Sequence, residues 1–131
     1  MSPHSPRADL LDLAAAAESA FEAVLEELIS GLPETAGVIS ETHVARSTDG
    51  REMKLCVSRP EGAEGPLPCI YHLHGGAVVI MGAASAPYER WRRGLCPTGL
   101  VVVGVEFRDG AGRLGPYPYP AGLEDCVTGL K

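Results

Sequence analysis

Tyr71-His72-Leu73-His74-Gly75-Gly76-Ala77 is the segment whose residue types could do chemistry. Two glycines follow directly on a short apolar run, Cys69 to Leu73. Glycines placed there let the backbone turn sharply and expose consecutive N–H groups. Such groups can hold the negative charge that develops on a carbonyl oxygen during ester hydrolysis. A plain tight turn is the other reading of the same pair. His72 and His74 suggest a second chemistry, because residues spaced by two in a strand point to one face. Zinc takes three or four ligands, and spacing identifies no third. The plainer reading holds both histidines in the hydrogen-bond network of the loop.

The elements that must position this segment follow from periodicity. Residues 9–30 predict one amphipathic helix, with Leu10, Leu13, Ala17, Phe21, Leu25 and Leu28 on one face and Glu18, Glu22 and Glu26 on another. Asp9 is the expected N-cap, and Gly31 and Pro33 stop the helix. It is either packed on the body of the protein or a lid over a binding site. Runs at about 38–47 and 52–59 flank Ser47-Thr48-Asp49-Gly50-Arg51, and the Asp-Gly pair signals an antiparallel hairpin at a sheet edge. Residues 60–68 form a loop, and 69–73 a short strand. A helix runs from Ser85, its cap, to about Leu95, with Pro87 in the first turn. Leu100 to Phe107 is nearly all apolar, as expected of a strand buried on both faces. Residues 108–120 are a Gly/Pro-rich loop, and another helix starts at Ala121 and is cut short by the end of the sequence. The later order, β-α-β-α, implies a parallel sheet with crossover helices. The expected fold class is α/β.

Composition excludes several roles. The 131 residues suit one compact domain. The formal charge of −6 argues against nucleic acid and anionic membranes. Arg90, Arg92 and Arg93 form the tightest basic cluster and read as a solvated helix face. No Asp, Glu, Lys or Arg occurs from Pro66 to Tyr88, but three prolines and three glycines there do not suit a membrane helix. No secretory signal is visible, so a soluble, cytoplasmic protein is expected. Cys56, Cys69, Cys96 and Cys126 are widely spaced and read as reduced thiols, three of them in apolar stretches.

Two blocks in register carry a family resemblance. The first is His74-Gly75-Gly76-Ala77 after a strand. The second is Glu106-Phe107-Arg108, a Gly-rich loop, then Pro118-Tyr119-Pro120-Ala121-Gly122-Leu123-Glu124-Asp125. Together they resemble the hormone-sensitive-lipase-like esterases of the α/β-hydrolase fold, whose oxyanion loop is of the HGGG type. The variant seen here is most similar to the brefeldin A esterase branch. The resemblance covers roughly 38–131, with a weaker fit for the N-terminal helix. It implies a helical segment over 1–37, which is a candidate cap, and an incomplete hydrolase domain over 38–131.

The resemblance also implies site roles. Backbone N–H groups of Gly76 and Ala77 would be oxyanion donors. His74 and Gly75 would shape the loop, and Arg108 would brace the site by pairing with a carboxylate. The substrate would be a small ester, with no cofactor and no metal. Ala77 stands where a third glycine is usual, which strains the loop if that position needs positive φ. The nucleophile of the family sits in a G-x-S-x-G elbow, and no such motif occurs in residues 1–131. Gly82-Ala83-Ala84-Ser85-Ala86 lacks the last glycine and a preceding strand, so Ser85 reads as a helix cap. None of His4, His43, His72 or His74 occupies the place of the family's base. In the family's topology the third strand lies between the fourth and fifth. Without a fifth, Cys69–Leu73 would be an exposed apolar edge that invites pairing with another chain. The chain alone is therefore expected to be marginally stable and inactive on esters. A non-catalytic ligand- or partner-binding remnant and a metal-binding module through His72 and His74 are the rival readings.

Overall fold

The computed structural model describes residues 7–47 and 49–131. His4 and Thr48 lie outside the described residues. A first helix α1 (Ala8–Ser30) precedes the hairpin β1 (Val38–Arg46) and β2 (Glu52–Pro60). Then come β3 (Cys69–His72), α2 (Ala86–Leu95), a short 3₁₀ turn at Cys96–Thr98, β4 (Val101–Glu106) and α3 (Ala121–Gly129). The four strands form one sheet in the order β1-β2-β4-β3. β1 pairs antiparallel with β2, and β2 antiparallel with β4. β3 pairs parallel with β4, from Cys69 opposite Val101 to His72 opposite Gly104. The fold class is α/β, a mixed four-stranded sheet behind an N-terminal helix.

The hairpin closes where the Asp-Gly pair lies. Gly50 has φ +82°, and the Ser47 N–H bonds the Arg51 carbonyl at 2.9 Å. β4 is central and buried from both sides, and its alternation divides the core. On one face Val105 and Phe107 pack with Met53, Leu55, Tyr71 and Cys126, beneath α3. On the other, Gly104 makes room for the Arg92 side chain of α2. β3 has a neighbour on one side only, so it forms the edge opposite the hairpin.

Several expectations need correcting. Asp9 is not the N-cap of α1. Arg7 occupies that position, and Asp9 sits in the first turn with its carboxylate bound by the Arg7 guanidinium at 2.7 Å, near the positive end of the helix dipole. Most of the apolar stripe of α1 does not face inward, and only Ala17 and Leu25 of its six residues are half-buried. Leu10, Leu13, Phe21 and Leu28 are exposed, and the one buried residue of the helix is Glu18. The reason is that α1 meets a polar surface. Glu18 takes the Met81 N–H at 2.6 Å, and Glu22 takes the Ser85 hydroxyl at 3.1 Å and pairs with Arg113. Ser85 caps α2 by position only, because its hydroxyl is used on Glu22.

The basic cluster on α2 is not a solvated face either. Arg92 is 2% exposed and donates to the Ala83 carbonyl at 2.6 Å. Burial pulls the pKa of its guanidinium down. Arg90 and Arg93 donate to the carbonyls of Pro33 and Thr35, tying the segment after α1 to α2. All four cysteines are free, but Cys69 is exposed rather than in the core. No described helix is long and apolar enough to cross a membrane.

Candidate functional site

β3 ends at His72, one residue earlier than its apolar run suggests. The chain then passes His74 and coils into a turn in which the N–H groups of Val79 and Ile80 both bond the Gly76 carbonyl, at 3.0 and 3.1 Å. Gly76 has φ +115°, and a Cβ there would collide with the Ile80 carbonyl oxygen. Glycine at 76 is therefore a steric requirement. Ala77 has φ +59°, Val78 +58° and Met81 +73°. The position where a third glycine is usual does need positive φ, at a cost of ~1–2 kcal/mol for alanine. For β-branched Val78 the left-handed region is rarer still. Three such residues within five positions mark a loop held by its surroundings.

The surroundings are specific. The carbonyls of Val78 and Val79 accept the N–H groups of Gly110 and Ala111, at 2.8 and 3.0 Å. Glu18 takes the Met81 N–H. The N–H groups of Gly75, Gly76, Ala77 and Val78 donate no hydrogen bond among the described residues. His74 is 6% exposed. Its ring stacks on Phe107 with centroids 4.1 Å apart, its Nδ1 lies 2.8 Å from the Gly75 carbonyl, and its Nε2 has no partner. His72 leans on Tyr88 and Trp91 of α2, and burial lowers its pKa. The two rings are thus packed on aromatics. Among the described residues no group of three or more His, Cys, Asp or Glu is placed to hold a metal.

Beside the loop lies a mainly apolar cleft of about 650 Å³. Its wall includes Leu73, His74, Val78, Phe107, Tyr119 and Leu123. Gly76 and Ala77 do not line it, although His74 and Val78 on either side of them do. Arg108 also borders the cleft. Its backbone N–H and Nε both reach Asp125 Oδ2 at 2.9 Å, and a terminal nitrogen reaches Oδ1 at 3.1 Å. Arg51 adds a bond to Oδ1 at 2.9 Å. Burial alone would raise the Asp125 pKa, but these hydrogen bonds outweigh it and hold the carboxyl below its ordinary value.

The fold that carries this arrangement is similar to those of several solved structures. Brefeldin A esterase, a bacterial homologue of human hormone-sensitive lipase, is 32% identical over 99% of this chain, with a TM-score of 0.82. The chain resembles the hormone-sensitive-lipase-like α/β-hydrolases. It matches their N-terminal part. Esterase Est22 is 30% identical over 96% of the chain, with a TM-score of 0.80. A bacterial heroin esterase is 25% identical over 88%, with a TM-score of 0.74. The chain spans only 37%, 40% and 35% of the lengths of these three esterases. No family model and no curated protein matches it.

The hydrolase fold brings His74, Gly75, Gly76, Ala77 and Arg108 to the borders of one cleft or the loop beside it. Sequence reasoning missed three residues that fix this arrangement. Glu18 read only as one of three glutamates on a second face of the helix. Tyr88 lies against both histidines and against the space a Cβ on Gly75 would fill. Asp109 is 2% exposed and folds its own loop by accepting N–H groups from Ala111 and Gly112. Burial raises its pKa, with those two bonds opposing. The Asp-Gly-Ala-Gly run at 109–112 was the available signal, since Asp commonly accepts from N–H groups two residues on.

Proposed function

We propose that this chain carries the oxyanion loop of a serine carboxylesterase acting on small esters, with N–H groups of Gly76 and Ala77 as the donors. The observation that supports this reading is the run of unbonded N–H groups at 75–78, with Gly76, Ala77 and Val78 held at positive φ beside an apolar cleft. A tetrahedral oxyanion would take those donors as its acyl carbon was attacked. His74 and Gly75 shape the turn, and the pairing of Arg108 with Asp125 braces the site. α1 would act as a cap segment, since it reaches the loop through Glu18. The attacking serine and its base and acid have no counterpart motif in residues 1–131.

The test uses p-nitrophenyl esters. Residues 1–131 alone release no p-nitrophenol. A protein joining them to a strand, a G-x-S-x-G elbow and the acid and base of the triad does. In that protein Gly76→Ala lowers kcat by about 10²–10³ with a smaller change in KM. An unchanged kcat would sink the assignment of the donors. Turnover by residues 1–131 alone would require a different nucleophile. Dimers through the open edge of β3, seen by sedimentation and abolished by Ile70→Lys, would favour the rival reading of a partner-binding segment.

A further inference from the structure

α1 is attached to the site by carboxylates rather than by its apolar stripe. Glu18 is 7% exposed, and its Oε1 accepts the Met81 N–H at 2.6 Å across 63 positions of sequence. Met81 ends the left-handed run that begins at Gly76 and includes Ala77 and Val78. One helical turn later Glu22 takes the Ser85 hydroxyl and Arg113. The two carboxylates therefore grip both chain segments that frame the turn, 81–85 on one side and 113 on the other.

A buried carboxylate with no donor is strongly unfavourable, and a backbone N–H with no acceptor is unfavourable as well. Each group therefore needs the other. With Glu18 absent, Met81 at φ +73° has no side-chain acceptor to hold its N–H. The left-handed conformations at 77, 78 and 81 can then relax to the negative φ that non-glycine residues prefer. Relaxation would turn the N–H groups of Gly76 and Ala77.

We infer that Glu18 is a positioning residue for the oxyanion loop, so that the seating of α1 sets the geometry of the turn at 76–81. The inference rests on the proposed role of that loop only for its catalytic consequence. The latch itself is testable without turnover. Amide hydrogen exchange is measured residue by residue in the wild type, Glu18→Ala and Glu18→Gln, with Leu28→Ala as a control on the exposed face of α1. Glu18→Ala accelerates exchange at Val79, Ile80 and Met81 by roughly tenfold or more, as expected when a hydrogen bond to a charged acceptor is lost. Glu18→Gln, which keeps an acceptor oxygen, restores most of the protection, and Leu28→Ala leaves these amides unchanged. Unchanged exchange at 79–81 in Glu18→Ala overturns the latch. So does an equal rise across β2 and β4, which would mean general destabilisation. In an enzyme with a nucleophile, Glu18→Ala also lowers kcat more than it changes KM. If the exchange result holds while kcat does not move, the latch stands and the oxyanion assignment falls.

Discussion

Asp125 and the turn at 75–78 treat polar groups in opposite ways. Asp125 accepts four hydrogen bonds, three from Arg108 and one from Arg51. The turn leaves the N–H groups of Gly75 to Val78 unbonded and holds Ala77 and Val78 at positive φ. The clamp closes its hydrogen bonds and joins the hairpin, the end of β4 and α3. The turn keeps donors open and depends on neighbours, Glu18 and the 110–111 backbone, to keep its shape. The difference separates a polar network that satisfies its own groups from a strained turn whose unsatisfied donors are what the proposed oxyanion role would use.

The largest effect that would sharpen this comparison comes from the clamp. Asp125→Ala leaves the largely buried Arg108 with only the longer 3.5 Å contact to the exposed Glu124 carboxylate, and breaking a buried pair from one side costs about 3–5 kcal/mol. Urea unfolding should show that loss, and the chain's modest core makes it enough to unfold much of the population. A loss under about 1 kcal/mol would mean the clamp is far more solvated than its 1% exposure at Asp125 indicates.

Substitutions in the turn act less on stability. Gly76→Ala must displace the Ile80 carbonyl and occupy positive φ, at a cost of about 2–3 kcal/mol. Ala77→Gly removes a left-handed alanine but adds freedom to the unfolded chain, so its net gain stays below ~1 kcal/mol. Opposite signs at adjacent positions, read from urea midpoints, are the signature of a turn strained at 77 and sterically closed at 76.

The finest distinction is the sign of a pH dependence. A carboxyl with a depressed folded-state pKa adds stability above its unfolded value, and that stability is lost as pH falls through the folded one. Asp125 is of this kind. A raised folded-state pKa works in reverse, stabilising at acid pH and losing the contribution as pH rises, and Asp109 is of that kind because burial dominates. Asp125→Asn should therefore fall furthest below wild type at pH 7 and converge on it in acid. Asp109→Asn should compare best with wild type at pH 7 and worsen as pH falls. Parallel difference curves would mean that the two aspartates do not differ as their hydrogen bonds imply.

Much of this was legible in the residues. The Asp49-Gly50 pair marks the hairpin, because glycine takes positive φ at no steric cost. The apolar run at 100–107 marks the central strand, and the glycine pair at 75–76 marks the turn. Local chemistry sufficed in each case, since the cause lies within a few residues of the effect. What the sequence misjudged lies in contacts between distant segments. Leu10, Leu13, Phe21 and Leu28 have the spacing of a buried face, yet Glu18 is buried instead because the surface opposite α1 offers N–H, hydroxyl and guanidinium donors. Arg92 reads as solvated, yet it is buried because β4, folded beneath α2, has a glycine at 104 that leaves room for it. Sequence patterning by itself determined the order of elements and the place of the turn. Only the tertiary structure decided which face of α1 docks, how the φ of Ala77 is held, and which carboxylate Arg108 grips. Those outcomes depend on what stands opposite each group, and periodicity records only how apolar a face is.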